Sequence, residues 1–371
     1  MNGLNSSRWR RPVAAGLAVV GAIALAGCSG TTAETDASQC EEMTPAHLVI
    51  GTADLDVSYI PYGILADELG YFADECIDMT VDAAAEGLFQ SLLSGQADFI
   101  MSSPSESLFA GNGDAVGTKI IYNLIPDLNI ALAVLEESDL TSVGELEGAV
   151  IGTWGIGPYA DAYVARSLEP YGLTLDDVSF IATGYGSTPM QALETGEVDA
   201  VLYWPGLYTS WALAGYPTRI LEGNEWASTM DGIGIMTTDA IVDENPELIE
   251  GVSRALAKST VYLKRYPESA VQIFWDAYPE RAPLPGADTE TAMADDLAIL
   301  ETTLISMDVP DHDDDYLWGI QTAGRWENQI DYFIETGMIA PTGEVLPEWF
   351  FVTDQIEAAN DFDHDAIVEQ Q

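Results

Sequence analysis

The chain has little positive charge. Its 371 residues include 12 lysines and arginines against 61 aspartates and glutamates, a formal charge of −49. A nucleic-acid partner is thereby excluded, because a phosphate backbone is bound through clustered cations. Such an excess of acid keeps a chain dispersed and monomeric and suits a salty or cation-rich solvent; it says nothing about fold. Histidine is scarce as well. His47, His312 and His364 stand far apart without zinc-ligand spacing, and no Gly-x-Ser-x-Gly turn offers a nucleophile, so zinc and hydrolase chemistry are poorly served. The run Asp311-His312-Asp313-Asp314-Asp315 begins like a calcium loop, but Tyr316 replaces the turn glycine and Thr322 the closing glutamate. It reads instead as the acidic start of a helix after Pro310. No metal and no cofactor is expected. Past the N-terminus, no apolar run is long enough to span a bilayer.

What the N-terminus does contain is an export signal. Arg8, Arg10 and Arg11 precede an apolar run from Val13 to Ala26, which ends at Leu25-Ala26-Gly27-Cys28. Small residues before a cysteine resemble a lipobox, so residues 1–27 are predicted to be a lipoprotein signal peptide and Cys28 the lipidated first residue of the mature chain. The mature protein would sit outside the cytoplasm, anchored to the cell membrane. Arg10-Arg11 is followed by Pro12 and Val13, which gives a twin-arginine signal little support. Residues 28–45 read as a polar tether, rich in Ser, Thr, Glu and Asp without apolar period. Cys40 and Cys76 are either unrelated or form a bridge from the tether's end to an early strand, since export permits a disulfide.

From Ala46 the pattern is α/β. Strands at 48–51, 77–81, 97–101 and 118–122 alternate with helices at 62–69 and 88–94, giving a first lobe over 46–127. The rhythm restarts in a second lobe, 136–231, with strands at 149–153 and 178–181 and helices from Pro158 and Thr188. A local signature recurs between the two: Leu92, Gly95 and Asp98 are matched by Leu193, Gly196 and Asp199, each a helix end, a glycine cap and a strand start. Two uncharged runs, 128–135 and 232–236, are expected to be crossing segments that hinge the lobes. Residues 237–355 are helical, with helices from Asn245-Pro246 and at about 291–306 and 315–336, and 356–371 form an acidic tail.

Ligands of such open sheets sit beyond the carboxyl ends of the strands, between the lobes. In the first lobe those ends carry Asp54, Asp56 and Tyr59, then Glu86, then Ser102, Ser103, Ser105 and Glu106, then Asn123. In the second they carry Trp154 and Tyr159, Tyr185, and Tyr203 with Trp204. The loop Gly152-Thr153-Trp154-Gly155-Ile156-Gly157 lacks dinucleotide spacing; it offers free amides at a helix start to a carbonyl oxygen or partial negative charge. Three arginines stand in the leader, and none of the nine remaining basic residues falls on a predicted cleft loop. A neutral or amine-bearing flat ring is therefore favoured: aromatics would stack on it, and carboxylates would accept from its amino groups.

The blocks Pro61-Tyr62-Gly63, Ala66-Asp67-Glu68-Leu69-Gly70-Tyr71-Phe72 and Gly95-Gln96-Ala97-Asp98-Phe99 come first along the chain. Leu146-Glu147-Gly148, Ala192 to Ala200 and Asn245-Pro246-Glu247 follow in order. In this sequence they resemble the nitrate/sulfonate/thiamine-precursor binding proteins, the NMT1/THI5-like or SsuA-like family. The resemblance implies a type II periplasmic-binding-protein fold, with a C-terminal helical region packed mainly on the first lobe. It also implies a non-enzymatic solute-binding role, with an ABC permease and its ATPase as partners. A thiamine-pyrimidine precursor fits the favoured ligand chemistry; a nitrate, sulfonate or taurine-type anion is the alternative within the family. Two further readings are a ligand-sensing lipoprotein serving a signalling partner, and a pyrimidine synthase, whose cysteine-rich motif this chain lacks. Arg254, Lys258 and Arg265 share a helix face that is either solvated or a surface for the permease.

Overall fold

The computed structural model describes residues 40, 42–223, 226, 230–307 and 316–369. The leader 1–27, Cys28, most of the tether and the run Asp311 to Asp315 lie outside them, as does the side chain of Tyr159.

The first sheet begins with β1 (Thr44–Gly51), whose Leu48, Val49 and Ile50 are all buried because both faces of this strand are covered. Beside it runs β2 (Ile77–Ala84), which alternates buried Ile77, Met79 and Val81 with exposed Asp78, Thr80 and Asp82, the period of a strand with one covered face. Short helices α1 (Leu65–Glu68) and α2 (Tyr71–Asp74) join them. Helix α3 (Leu88–Leu93) leads to β3 (Phe99–Ser102), and α4 (Pro104–Ala110) to β4 (Thr118–Asp127). The second sheet holds β5 (Ala131–Leu135), β6 (Val150–Thr153), β7 (Ser179–Ala182), β8 (Ala200–Tyr203) and β9 (Thr218–Ile220). Its helices are α5 (Pro158–Leu168), α6 (Thr188–Thr195) and α7 (Pro205–Leu213). The chain then returns through β10 (Asp231–Thr238) to the first sheet.

Strand order is β2-β1-β3-β10-β4 in one sheet and β7-β6-β8-β5-β9 in the other. In each, the first three strands are parallel and the fourth is antiparallel to its neighbours. This corrects the expected crossings. Residues 131–135 are β5, paired with β8 and β9, and 232–236 are the middle of β10, paired with β3 and β4. An uncharged apolar run has the same composition as hinge or as buried strand, and only its pairing partners separate the two. The crossings themselves are 128–130 and the stretch between β9 and β10. The glycines of β10 serve its fit: a Cβ at Gly232 would meet the carbonyl oxygens of Ile125 and Asp127, and one at Gly234 that of Tyr122.

Beyond β10 come α8 (Asp239–Glu244), α9 (Pro246–Arg265), α10 (Pro267–Ala277), α11 (Thr289–Met307) and α12 (Ala323–Glu335). Helix α9 buries Ile249, Val252, Ala255, Leu256 and Leu263 against one face of the first sheet, sharing a core with Leu48, Phe99 and Ile235. On the opposite face, Val49, Ile100, Ile120 and Met236 share a core with Trp326 and Phe333 of α12 and with Leu132, Ile151 and Val164 of lobe 2. The C-terminal region thus reaches lobe 2 as well as lobe 1; α11 also packs against α7. Two details differ from the sequence reading. Residues 316–322 are not helical, so α12 starts at Ala323, and the acidic tail forms α13 (Ile356–Ala359) and α14 (His364–Val368), which bury Ile356, Ala359 and Ile367 against α9. Three apolar side chains outweigh the tail's charge, which simply faces water.

Cys40 and Cys76 form a disulfide with Cα atoms 5.6 Å apart. The Thr44 amide donates to the Cys76 carbonyl at 2.8 Å, so the bridge ties the start of β1 to the start of β2. Among the described residues, no helix is long and apolar enough to cross a membrane, and no group of His, Cys, Asp or Glu could hold a metal ion.

Candidate functional site

The lobe 1 wall starts where β1 ends. Thr52 Oγ1 donates to the Asp54 carbonyl at 3.0 Å and accepts from the Asp54 amide at 3.1 Å, which turns the chain. Asp56 caps the single helical turn Val57–Tyr59, accepting from the Ser58 amide at 2.8 Å and its hydroxyl at 2.5 Å. Burial pushes the Asp56 carboxyl up; the Ser58 hydrogen bonds oppose this, and the charges of Asp54 and Asp296 add to it. Tyr59 is buried, and its phenol is pushed well up by burial first and then by Asp56. Glu86 stands exposed beside Gly87. Glu106, in the first turn of α4, is exposed, and partial desolvation raises its carboxyl.

The three serines are largely occupied. Ser103 caps α4 by accepting from the Ser105 amide at 3.3 Å, Ser102 donates to the Ser103 carbonyl at 3.2 Å, and Ser105 accepts from Gln329 Nε2 at 2.9 Å. Asn123 points toward the crossings: its Nδ2 reaches Asp231 Oδ1 at 3.4 Å, and its amide donates to the Gly319 carbonyl at 2.9 Å. Ser105 and Asn123 therefore belong with α12 and the crossings and not with the aromatic front.

On the lobe 2 wall, Thr153 Oγ1 donates to the Gly155 carbonyl at 2.6 Å and holds the loop before α5. Trp154 is half-buried, edge-on to Tyr203 at 6.0 Å between centroids. Tyr203 itself is fully buried, and its hydroxyl is held by Thr183 Oγ1 at 2.9 Å and the Gly184 carbonyl at 2.5 Å. It is a pillar behind the front, correcting its expected place on a ligand. Tyr185 and Trp204 are half-buried, 6.3 Å apart between ring centroids, and Trp204 packs against each of three hydrophobic clusters among the described residues.

The walls meet. Burial raises the Tyr185 phenol of lobe 2, and the charge of Glu86 of lobe 1 adds to it. A Cβ on Gly186 would stand 3.5 Å from Asp54 Oδ2, and one on Gly206 3.6 Å from Ser58 Cβ. The loops that carry Asp54 and Asp56 thus stand against those that carry Tyr185 and Trp204, with Tyr59 buried behind the first of them. Two residues were missed from sequence: Asp296 of α11, which accepts from Trp275 Nε1 at 2.7 Å, and Arg281, whose Nη2 is 2.6 Å from Asp54 Oδ1. Arg281 lies 227 residues from its partner in a Pro-rich loop with no motif, so no local signal could have found it. Conversely, Arg254 and Lys258 are not a free docking face; both bind Glu75, at 2.6 and 2.9 Å. A separate groove of about 440 Å³ lies away from this front, between the end of α5 and α12.

Residues 59–270 match the model of the family described as NMT1/THI5 like. No curated protein sequence matches the chain. Among solved structures, it is similar to the alkanesulfonate-binding protein SsuA from Xanthomonas axonopodis pv. citri bound to MOPS, with TM-score 0.62 and 17% identity over 84% of this chain and 100% of that one. It is also similar to the periplasmic nitrate-binding protein NrtA from Synechocystis PCC 6803, with TM-score 0.63 and 13% identity over 88% and 91%. The desulfurization enzyme DSZB shares the fold too, with TM-score 0.54 and 12% identity over 85% and 98%. At such identities these likenesses establish the fold, a two-lobed type II periplasmic-binding-protein fold. The family match, covering more than half the sequence in that fold, places the chain in the NMT1/THI5-like family.

Proposed function

We propose that the protein is the solute-binding lipoprotein of an ABC importer, tethered outside the cytoplasm through Cys28, that closes its lobes on a small molecule and delivers it to a permease. The observation that carries this reading is the close approach of the two sets of strand-end loops, Gly186 to Asp54 and Gly206 to Ser58, which brings the loop aromatics Tyr185 and Trp204 opposite the carboxylates after β1. Such a front stacks a flat ring and accepts hydrogen bonds from its amino groups, so the favoured solute is a neutral or amine-bearing heterocycle such as a thiamine-pyrimidine precursor. A cationic amine would also relieve the desolvated carboxyl of Asp56, whose pKa is raised by burial. A chemical step is not part of this reading, although a desulfurization enzyme has the same fold.

One observation favours a second reading. Arg281 brings a cation to Asp54, and proteins of this fold include binders of alkanesulfonate and nitrate. An anion would then displace Asp54 from the guanidinium. A thermal-shift screen of the purified protein separates the two, using aminopyrimidines, riboflavin and polyamines against nitrate and taurine. At a hundred times its Kd, the true solute adds about 2.7 kcal/mol. Stabilisation by aminopyrimidines, reduced roughly tenfold in affinity by Tyr185→Ala, is the expected result. Stabilisation by nitrate or taurine alone, lost in Arg281→Ala, would replace the first reading with the second. A flat response to every solute would remove the importer reading.

A further inference from the structure

The first crossing meets the end of the second where the Leu128 amide donates to the Met230 carbonyl at 3.0 Å. One side chain from the C-terminal region binds both. Arg325, in the first turn of α12, donates from Nε to Asp231 Oδ1 at 2.7 Å. Its Nη2 donates to Asp127 Oδ1 at 2.8 Å and to the carbonyls of Pro126 and Met230 at 2.7 and 2.6 Å. Pro126 and Asp127 end β4, just before the first crossing; Met230 ends the second and Asp231 begins β10. A planar guanidinium holds several oxygens at fixed angles, which the point charge of a lysine cannot do.

The rest of α12 shows what this contact governs. Trp326 is fully buried and donates to Gln321, whose amide donates to the Ile120 carbonyl in β4, which pins the helix to the first sheet. Gln329 donates to Ser105 at the start of α4. Farther along, the Tyr332 hydroxyl donates to the Ala162 carbonyl in α5 of lobe 2 at 3.2 Å. One helix therefore touches lobe 1, both crossings and lobe 2 in sequence.

The clamp is also incompletely satisfied. The Asp231 side chain is fully buried, and its Oδ1 is shared by Arg325 and Asn123 Nδ2, while its Oδ2 and Asn123 Oδ1 have no partner among the described residues. Burial raises Asp231 to about 6 against the pull of Arg325, with Asp127 raising it and Asn123 lowering it. Bare buried acceptors are costly, so this arrangement holds less firmly than a fully paired one and can yield when the lobes turn.

We infer that Arg325 is a positioning residue for lobe rotation, which fixes the angle between the two crossings from the C-terminal helices. This takes from the solute-binding reading only the purpose of the rotation. Hydrogen exchange and small-angle scattering on the full-length protein, with no solute added, test it in Arg325→Gln and Arg325→Lys. In the Gln variant, amides flanking the crossings exchange about tenfold faster while those of α9 are unchanged, and the radius of gyration rises. The Lys variant falls between. Corrected for intrinsic rates, crossing exchange in the parent changes around the Asp231 pKa of about 6. That midpoint moves upward in the Gln variant, which loses the neighbouring charge, and stays near its place in the Lys variant. Unchanged exchange at both crossings, loosening spread evenly over the chain, or a midpoint unmoved in the Gln variant would each overturn the inference. Should the Gln variant fail to fold, the Lys variant decides on exchange alone. A failed solute screen leaves all these readouts standing.

Discussion

The two lobes follow one plan with unequal support. In each, a helix ends at a left-handed glycine, Gly95 or Gly196, and an aspartate three residues later accepts from a strand amide across the sheet: Asp98 from His47 at 2.9 Å, Asp199 from Val150 at 2.8 Å. Each sheet also fills its fourth place with a strand that has just crossed from the other lobe. Support then diverges. The first sheet has α9 to α11 on one face, α12 on the other and a disulfide at its edge strand. The second has strands of only 3 to 5 residues, and its outer face rests on a small cluster built around Tyr203, Tyr208 and Trp211. A repeated local signal sets the plan, and what packs later sets how firmly each copy holds. Lobe 2 is therefore expected to open before lobe 1 in native-state hydrogen exchange.

The largest expected effect sharpens that comparison at the junction. Trp326→Ala empties a site stacked on Phe350 at 5.5 Å, inside a core shared by both lobes, and is expected to cost about 3–5 kcal/mol in urea unfolding. Both lobes should lose protection together; a loss confined to one would break the idea of a shared core. Next, Cys76→Ser opens the loop of sequence separation 36 closed by the disulfide and should cost about 2–4 kcal/mol, felt in β1 and β2 while lobe 2 exchange stays as it was. Tyr208→Phe acts on the other side. The Tyr208 hydroxyl accepts from the Tyr203 amide at 2.7 Å and donates to the Ala131 carbonyl at 2.6 Å, so its loss should cost about 1–3 kcal/mol and loosen lobe 2 alone.

A further effect is in pH. Asp231 has its folded pKa raised from 3.8 to about 6, chiefly by burial. The folded state therefore holds this proton more tightly than the unfolded one. Its contribution to stability is present below 3.8 and lost as pH rises to about 6. Asp231→Asn removes that decline, and urea midpoints measured from pH 4 to 7 should flatten relative to the parent; an unaltered slope would place the titration elsewhere.

Much of the site was legible because strand ends are legible. Asp54, Asp56, Tyr59 and Glu86 follow β1 and β2, and Tyr185 and Trp204 follow β7 and β8, where the apolar runs end. What composition could not separate was a ring facing the cleft from a ring holding it up: Tyr203 and Trp204 are adjacent, yet successive strand-end side chains point opposite ways, one into the core and one to the junction. Hydroxyls were equally ambiguous. Ser103 caps a helix and Ser105 meets Gln329, partners that a strand-end reading does not supply.

The sequence by itself determined the two α/β units, their repeated glycine-aspartate signature and the strand-end positions of the carboxylates and aromatics proposed for the site, because each depends on neighbours within a few residues. Only the tertiary structure decided that 131–135 and 232–236 are paired strands, that Arg281 reaches Asp54, and that Arg325 clamps both crossings. Those partners lie about a hundred residues or more apart in most cases, and a charged side chain carries no mark in its own sequence of the oxygen it will meet once the sheets have packed.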